Sequence, residues 1–274
     1  MTTTTMPQPP TRPAPPRVYR VTPARARAYG LCPLQCREVQ IHRRQRPSAF
    51  TGEAAVRGRS LHELLLAYNR ALLRDGRPPD VDDLIRHVWA PGVFPAAGEQ
   101  ESVDLARRTL HAYGNVLEEE GLTVLAAEEW VKTAPRPLLD APHLAIELSG
   151  TPDVLARRAD GSIVALDLKT GASLPDPSAL ADDLGTVVYH LLAAYRCATT
   201  AIEVAQVAPH RGDWVAVALD AVRVLAGTAR LRAMVVALDA DDFPPRPGQH
   251  CVICPAEPAC PARYRDPSWA AAPF

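Results

Sequence analysis

Gly150-Thr151-Pro152-Asp153, thirteen intervening residues, then Asp167-Leu168-Lys169-Thr170-Gly171: this stretch decides how the chain is read. Leu148 to Ala156 has the composition of a strand, Asp160-Gly161 is a turn signal, and Ser162 to Leu168 is a second strand. A tight hairpin over these residues carries Asp153 towards the carboxylate of Asp167. Side chains on a strand repeat every two residues, so Asp167 and Lys169 share a face. Two carboxylates and an ammonium then converge on one spot. Hard oxygen donors of that kind suit Mg2+ or Mn2+. The ammonium is itself informative. The chain has 30 Lys plus Arg, yet only Lys132 and Lys169 are lysines. Arg stays charged and cannot act as a base, whereas Lys is a compact charge whose pKa moves on burial. Lys at 169 therefore points to a chemical task.

An Asp-x-Lys alone is equally what an exposed, salt-bridged hairpin looks like. The combination of Pro152-Asp153 with Asp167-Leu168-Lys169, flanked by Gly150 and Thr170-Gly171, resembles the PD-(D/E)-x-K nuclease superfamily, and within it the RecB-like branch. Gly58-Arg59-Ser60-Leu61-His62 is similar to the G-x-x-L-H motif of that branch, whose His ligates the metal. Leu61, Leu64, Leu65 and Leu72 fall at helical spacing, so a helix presents His62 to one side of the sheet. A lone His on such a helix is ordinarily packed in the core; its order ahead of Asp153 and Asp-x-Lys gives it the ligand reading. Glu128 stands where the family often carries a Glu on the strand before the hairpin, with a solvated strand carboxylate as the plain alternative. The family's downstream Gln-x-x-x-Tyr motif is not matched. Four residues before Tyr189 lies Gly185, and four before Tyr195 lies Leu191. Tyr189 is the candidate for the motif, and either Tyr is also readable as core.

The resemblance implies an α/β (α+β) fold: a restriction-endonuclease-like core with a mixed central sheet flanked by helices. It also implies roles. Asp153 and Asp167 would ligate Mg2+ or Mn2+, joined by the backbone carbonyl of Leu168 and by His62. Lys169 would orient the attacking water and stabilise developing charge. The expected element order is helices at 23–46, 59–75, 79–89 and 97–120 and strands at 122–133, 144–157 and 162–169. A helix at 178–198, strands at 201–209 and 213–218, and a helix at 220–239 follow.

The cysteines form a second, independent pattern. Cys251-x-x-Cys254-x5-Cys260 lies near the end, Cys32-Pro33 and Cys36 near the start, and Cys197 in the helix expected over 178–198. With no secretory leader in the sequence, a cytoplasmic location is expected, where clustered thiols suggest metal and not disulfides. The spacing allows zinc or a four-iron four-sulfur cluster. A subset of RecB-like nucleases, the AddB-type subunits and CRISPR-associated enzymes, is similar in layout: one Cys-Pro before the core and C-x2-C-x5-C after it. That resemblance implies a 4Fe-4S cluster on Cys32, Cys251, Cys254 and Cys260, with zinc as the alternative occupant. Cys32 fits the family's first position better than Cys36, because Pro33 follows it and the preceding Thr22-Pro23-Ala24-Arg25 opens a helix in the family manner, with Thr as N-cap and Pro at the first helical position. The two cysteines share a helical face, so either could reach a metal.

Composition agrees with a single globular unit. The 274 residues are 47% hydrophobic with net charge −1, ordinary for one well-buried domain. A near-neutral chain is no bulk nucleic-acid coat, though its 28 Arg can still line a local cleft. Residues 1–16 are Thr/Pro-rich and expected to be disordered. One nuclease domain is expected over 17–265, mainly helical over 17–120, with the core at 121–240 and the cluster segment at 241–265; 266–274 is a loose tail. No apolar run approaches a membrane span. No phosphate loop precedes either lysine, so an unwinding motor is not expected in this sequence. The implied activity is a metal-dependent deoxyribonuclease, an exonuclease on single-stranded or frayed DNA ends. A helicase, or a CRISPR-adaptation or other defence or repair protein, is the candidate partner. The alternatives are a nuclease subunit of such a complex, a catalytically weak DNA-end-binding subunit and a zinc-stabilised binding module.

Overall fold

The computed structural model describes residues 14–42, 53–89, 96–170 and 173–262. Most of the expected terminal tails, and Gly171 of the strand-end motif, lie outside the described residues. The chain opens with β1 (Arg17–Val21), α1 (Pro23–Leu31), α2 (Pro33–Cys36) and a π-turn over Arg37–Ile41. A helical lobe follows: α3 (Glu53–Asp75), α4 (Val81–Val88) and α5 (Ala96–Glu119). Then come β2 (Thr123–Ala127), β3 (Val131–Lys132), β4 (Arg136–Pro137), β5 (Leu144–Gly150), β6 (Val154–Arg157) and β7 (Ile163–Leu168). After these run α6 (Pro177–Asp182), α7 (Leu184–Cys197), β8 (Ile202–Ala208), β9 (Asp213–Ala218) and α8 (Ala221–Asp239). Two 3-10 turns, Gln249–Ile253 and Glu257–Ala259, close the described chain.

The strands form two sheets. The larger has the order β2-β6-β7-β8-β9, and the smaller has β1-β5-β3 with β4 also on β5. β6 and β7 are the expected antiparallel hairpin, with Val154 opposite Leu166 and Arg157 opposite Ile163. β7 and β8 are parallel, crossed by α6 and α7, so the larger sheet is mixed. The expected α/β core with flanking helices is therefore what the chain forms.

Local chemistry moved several expected boundaries. The helix expected over 23–46 breaks at Cys32, which is extended at φ −158°, ψ 114°. Pro33 disfavours helical backbone at the residue before it, so α1 must end there and α2 begin anew. The strand expected over 144–157 is two strands in two sheets. Pro152 has no N–H to give a ladder, and Thr151-Pro152-Asp153 carries the chain from the smaller sheet to the larger. The strand over 122–133 is interrupted at Glu128, whose φ is +47°. The helix over 178–198 is split by Asp183, whose side chain caps α7 by accepting from Gly185 N at 2.6 Å. β1 was not anticipated. Its short Val-Tyr-x-Val pattern gains stability only by pairing parallel to β5, Arg17 opposite Leu144 through Val21 opposite Leu148.

Both faces of the larger sheet are covered, which explains its near-continuous apolar strands. Val154, Val164, Leu166 and Val207 pack under α3, α4 and α5 against Leu61, Leu64, Leu65 and Leu110. Leu155, Ile163, Ala165 and Val204 face α7 through Ala193. Each fully buried Leu contributes about 1.5–3 kcal/mol. A third cluster joins the smaller sheet to α1, α7 and α8 through Val21, Leu148, Val188 and Leu231. The ends of β6 and β7 thus lie where the helical lobe, α7 and α1 can all reach.

Candidate active site and cysteine cluster

Asp153 precedes β6 and Asp167 lies on β7, and the hairpin register brings them together. The Leu168 N–H donates to Asp153 Oδ2 at 2.6 Å. Lys169 Nζ is 2.6 Å from Asp167 Oδ2, as expected for residues two apart on one strand face. Asp153 is half-buried. Burial pushes its carboxyl up to about 6, the Leu168 N–H pulls against that, Asp167 adds to the rise, and His62 and Lys169 oppose it. These four groups therefore form one electrostatic unit. The Tyr189 hydroxyl belongs to it too: burial raises its pKa, followed by Asp167 and Asp153. Tyr195 is on the outside, 52% exposed, so Tyr189 is the tyrosine that faces the carboxylates.

His62, on α3, lines an open groove with Arg59, Glu63, Glu128 and Thr170. Gly58 allows this approach, since a Cβ there would sit 3.2 Å from Thr170 Oγ1. Glu128 is joined to the carboxylate pair by its backbone, its N–H donating to Asp153 O at 2.9 Å. Its positive φ is unusual for Glu, and such backbone persists where surrounding structure imposes it, often at functional positions. Leu168 also touches the pair through its N–H, which donates to Asp153. Among the described residues no group of three or more His, Cys, Asp or Glu is drawn tightly enough to hold a metal ion. One oxygen of each carboxylate is met by protein donors.

Two polar neighbours of Asp167 were missed in the sequence. Gln206 Nε2 donates to Asp167 Oδ2 at 3.2 Å, and Arg27 Nη2 lies 3.4 Å from the same oxygen. Gln206 had a signal: it is the polar residue within the apolar run Val204 to Ala208 of β8, and it pairs directly with Asp167. Arg27, on α1, had none.

The cysteines separate cleanly. Cys32, Cys251, Cys254 and Cys260 line one small cavity between the break after α1 and the two 3-10 turns. Arg246 N donates to Cys32 Sγ and Gly248 N to Cys251 Sγ, each at 3.4 Å. Burial raises the Cys254 thiol pKa, the Ala256 N–H opposes this, and Cys251, Cys32 and Cys260 add to it. Cys36 turns away into the core with its thiol donating to Arg25 O, and burial pushes its pKa to about 11. Cys197 ends α7 and does not line that cavity.

Residues 20–261 match the profile of the PD-(D/E)XK nuclease superfamily. No curated protein matches the chain. Among solved structures, one titled "Crystal structure of SSO0001" is similar at 14% identity over 75% of this chain and 84% of that chain, with a TM-score of 0.37. Among the described residues no helix is long and apolar enough to cross a membrane.

Proposed function

The chain belongs to the PD-(D/E)XK nuclease superfamily, and on that premise we propose that it is a RecB-like, Mg2+- or Mn2+-dependent DNA exonuclease whose two chain ends are tied by a 4Fe-4S cluster. The observation that carries the catalytic half is the pair of the half-buried Asp153 and the buried Asp167, with Lys169 Nζ at 2.6 Å from Asp167. Two neighbouring carboxylates in a desolvated site repel, and a cation relieves that repulsion. Asp153, Asp167 and His62 would hold the ion, with the Leu168 carbonyl at hand. A divalent ion so placed supplies Lewis-acid charge to phosphate oxygens and lowers the pKa of bound water. The imidazole biases the donor set towards Mn2+. Lys169 Nζ lies beside Asp167, where it would orient the water and face the developing negative charge. Tyr189 closes the α7 side of the pair, and Glu128 and His62 line the open groove through which a strand would enter.

The four-cysteine cavity supports the second half. Four thiols converge on it, with the His250 ring 3.8 Å from Cys251 Sγ, and the N–H groups of Arg246 and Gly248 point at two of the sulfurs, the kind of outer contact that tunes sulfur ligands. Cys32, Cys251, Cys254 and Cys260 would hold the cluster, which would be structural and would close a long loop of the chain. The substrate follows from the open groove and the near-neutral net charge: single strands or frayed ends, supplied by a strand-opening partner in repair or defence.

Anaerobic purification followed by iron and sulfide counting, and cleavage of end-labelled oligonucleotides, test both halves. Brown protein with about four iron and four sulfide per chain is expected. Single strands should be cut well ahead of blunt duplex, only with Mg2+ or Mn2+, and less as salt rises. Stoichiometric zinc without sulfide overturns the cluster assignment alone. Equal activity on closed circular duplex overturns the exonuclease assignment alone.

A further inference from the structure

Arg27 reaches from α1 to two carboxylates on two other elements. Its Nε donates to Asp183 Oδ2 at 2.5 Å and its Nη2 to Asp167 Oδ2 at 3.4 Å. Asp183 is fixed in its own right, since its other oxygen caps α7 through Gly185 N. The guanidinium lies where it does because position 185 has no side chain. A Cβ on Gly185 would stand 3.2 Å from Arg27 Nη2, 3.1 Å from Asp183 Oδ1 and 3.0 Å from Pro23 O. The same position is where the sequence departs from the Gln-x-x-x-Tyr pattern. Asp167 Oδ2 also receives Lys169 Nζ and Gln206 Nε2, so two cations and an amide meet on one oxygen of a carboxylate that is 6% exposed.

We propose that Arg27 is a positioning residue of the hydrolytic site: its fork spans Asp183 and Asp167, fills the space left open at Gly185, and holds Asp167 in place while offsetting the charge of the carboxylate pair. This rests on reading Asp153 and Asp167 as the pair that holds the divalent ion. A planar fork can serve two acceptors at once, which a Lys ammonium at the same place does with poorer geometry. The charge is close enough to the ion's place to oppose it, so Arg27 balances ion affinity against carboxylate order.

The test uses the full chain purified without oxygen, with the Mn2+ affinity read by calorimetry in the absence of DNA. Cleavage is read by single turnover, and DNA affinity in a chelator by anisotropy. Arg27→Met should bind Mn2+ at least threefold more tightly and cleave 10- to 100-fold more slowly, with DNA affinity unchanged within twofold. Arg27→Lys should keep the parent Mn2+ affinity and recover part of the rate. A merely structural ion pair would weaken Mn2+ and DNA binding together and lower the unfolding temperature, and that result overturns the proposal. So does Arg27→Met with parent Mn2+ affinity and parent rate. A parent chain that binds no Mn2+ overturns the reading of the carboxylates themselves; one that binds it and is indifferent to Arg27 overturns only the role of Arg27.

Discussion

The carboxylates at the ends of β6 and β7 and the cysteines at the two ends of the fold are positioned by different means. Asp153 and Asp167 sit on a register-locked hairpin, and Leu168 N, Lys169, Gln206 and Arg27 already meet their oxygens. The four cysteines lie on a helix break and two 3-10 turns, where the recorded backbone contacts to sulfur are two long N–H donations. The first site is held by the sheet and would keep its shape without an ion. At the second, on the proposed reading, a bound cluster would add a cross-link to the contact that Arg246 Nη1 already makes with Gly30 O. Removing a functional group should therefore cost activity at the first site and structure at the second.

The largest effect expected on this contrast is catalytic. Lys169→Ala and Asp167→Asn should each lower cleavage by about 10³-fold or more, as losing a main electrostatic group of a hydrolytic site does. Circular dichroism and the unfolding temperature should be unchanged. A loss of fold in either variant would erase the distinction between the two sites. Next comes the cluster. Cys254→Ser should lose iron and about 3–5 kcal/mol of stability, the scale of a cross-link closing a long loop. Cys36→Ser, at a core thiol outside the cavity, should retain iron. Colourless Cys36→Ser with brown Cys32→Ser would reassign the first ligand.

A third, smaller effect sharpens the carboxylate side. The folded pKa of Asp153 is raised to about 6 from an ordinary value of 3.8. A raised carboxyl stabilises the fold where it is protonated, and that contribution is lost as pH rises from about 4 through 6. In metal-free protein Asp153→Asn, which keeps an acceptor for Leu168 N, should therefore unfold about 1–3 kcal/mol later at pH 7. The gain should vanish near pH 4. A gain that grows on acidification would have the wrong sign. Smallest is Glu128→Gly, which relieves a left-handed backbone worth about 1 kcal/mol. It should hold or raise the unfolding temperature while lowering cleavage.

The same contrast explains what was legible in the sequence. The hairpin was read from turn chemistry and strand alternation, which are local, and His62 from helical spacing ahead of it. The division of 144–157 between two sheets was not, because Pro152 ends a strand without saying where the next one pairs. The breaks at Cys32 and Asp183 had local signals in Pro33 and in a capping Asp, yet they were outweighed by continuous helical composition. β1 depends wholly on its partner β5. At the site, Gln206 could have been found as a polar residue within the apolar run Val204 to Ala208. Arg27 reaches Asp167 across 140 residues of sequence, and its position is set by the tertiary packing of α1 against α7, which no local pattern encodes.

The central claim is that the Asp153, Asp167 and Lys169 constellation is a metal-dependent hydrolytic site. End-labelled single-stranded DNA incubated with anaerobically purified protein and Mn2+, beside Lys169→Ala and a chelator control, tests it most directly. Progressive shortening by the parent chain, abolished by the chelator and by Lys169→Ala at equal folded concentration, is the expected result. Cleavage by Lys169→Ala at the parent rate would contradict the account.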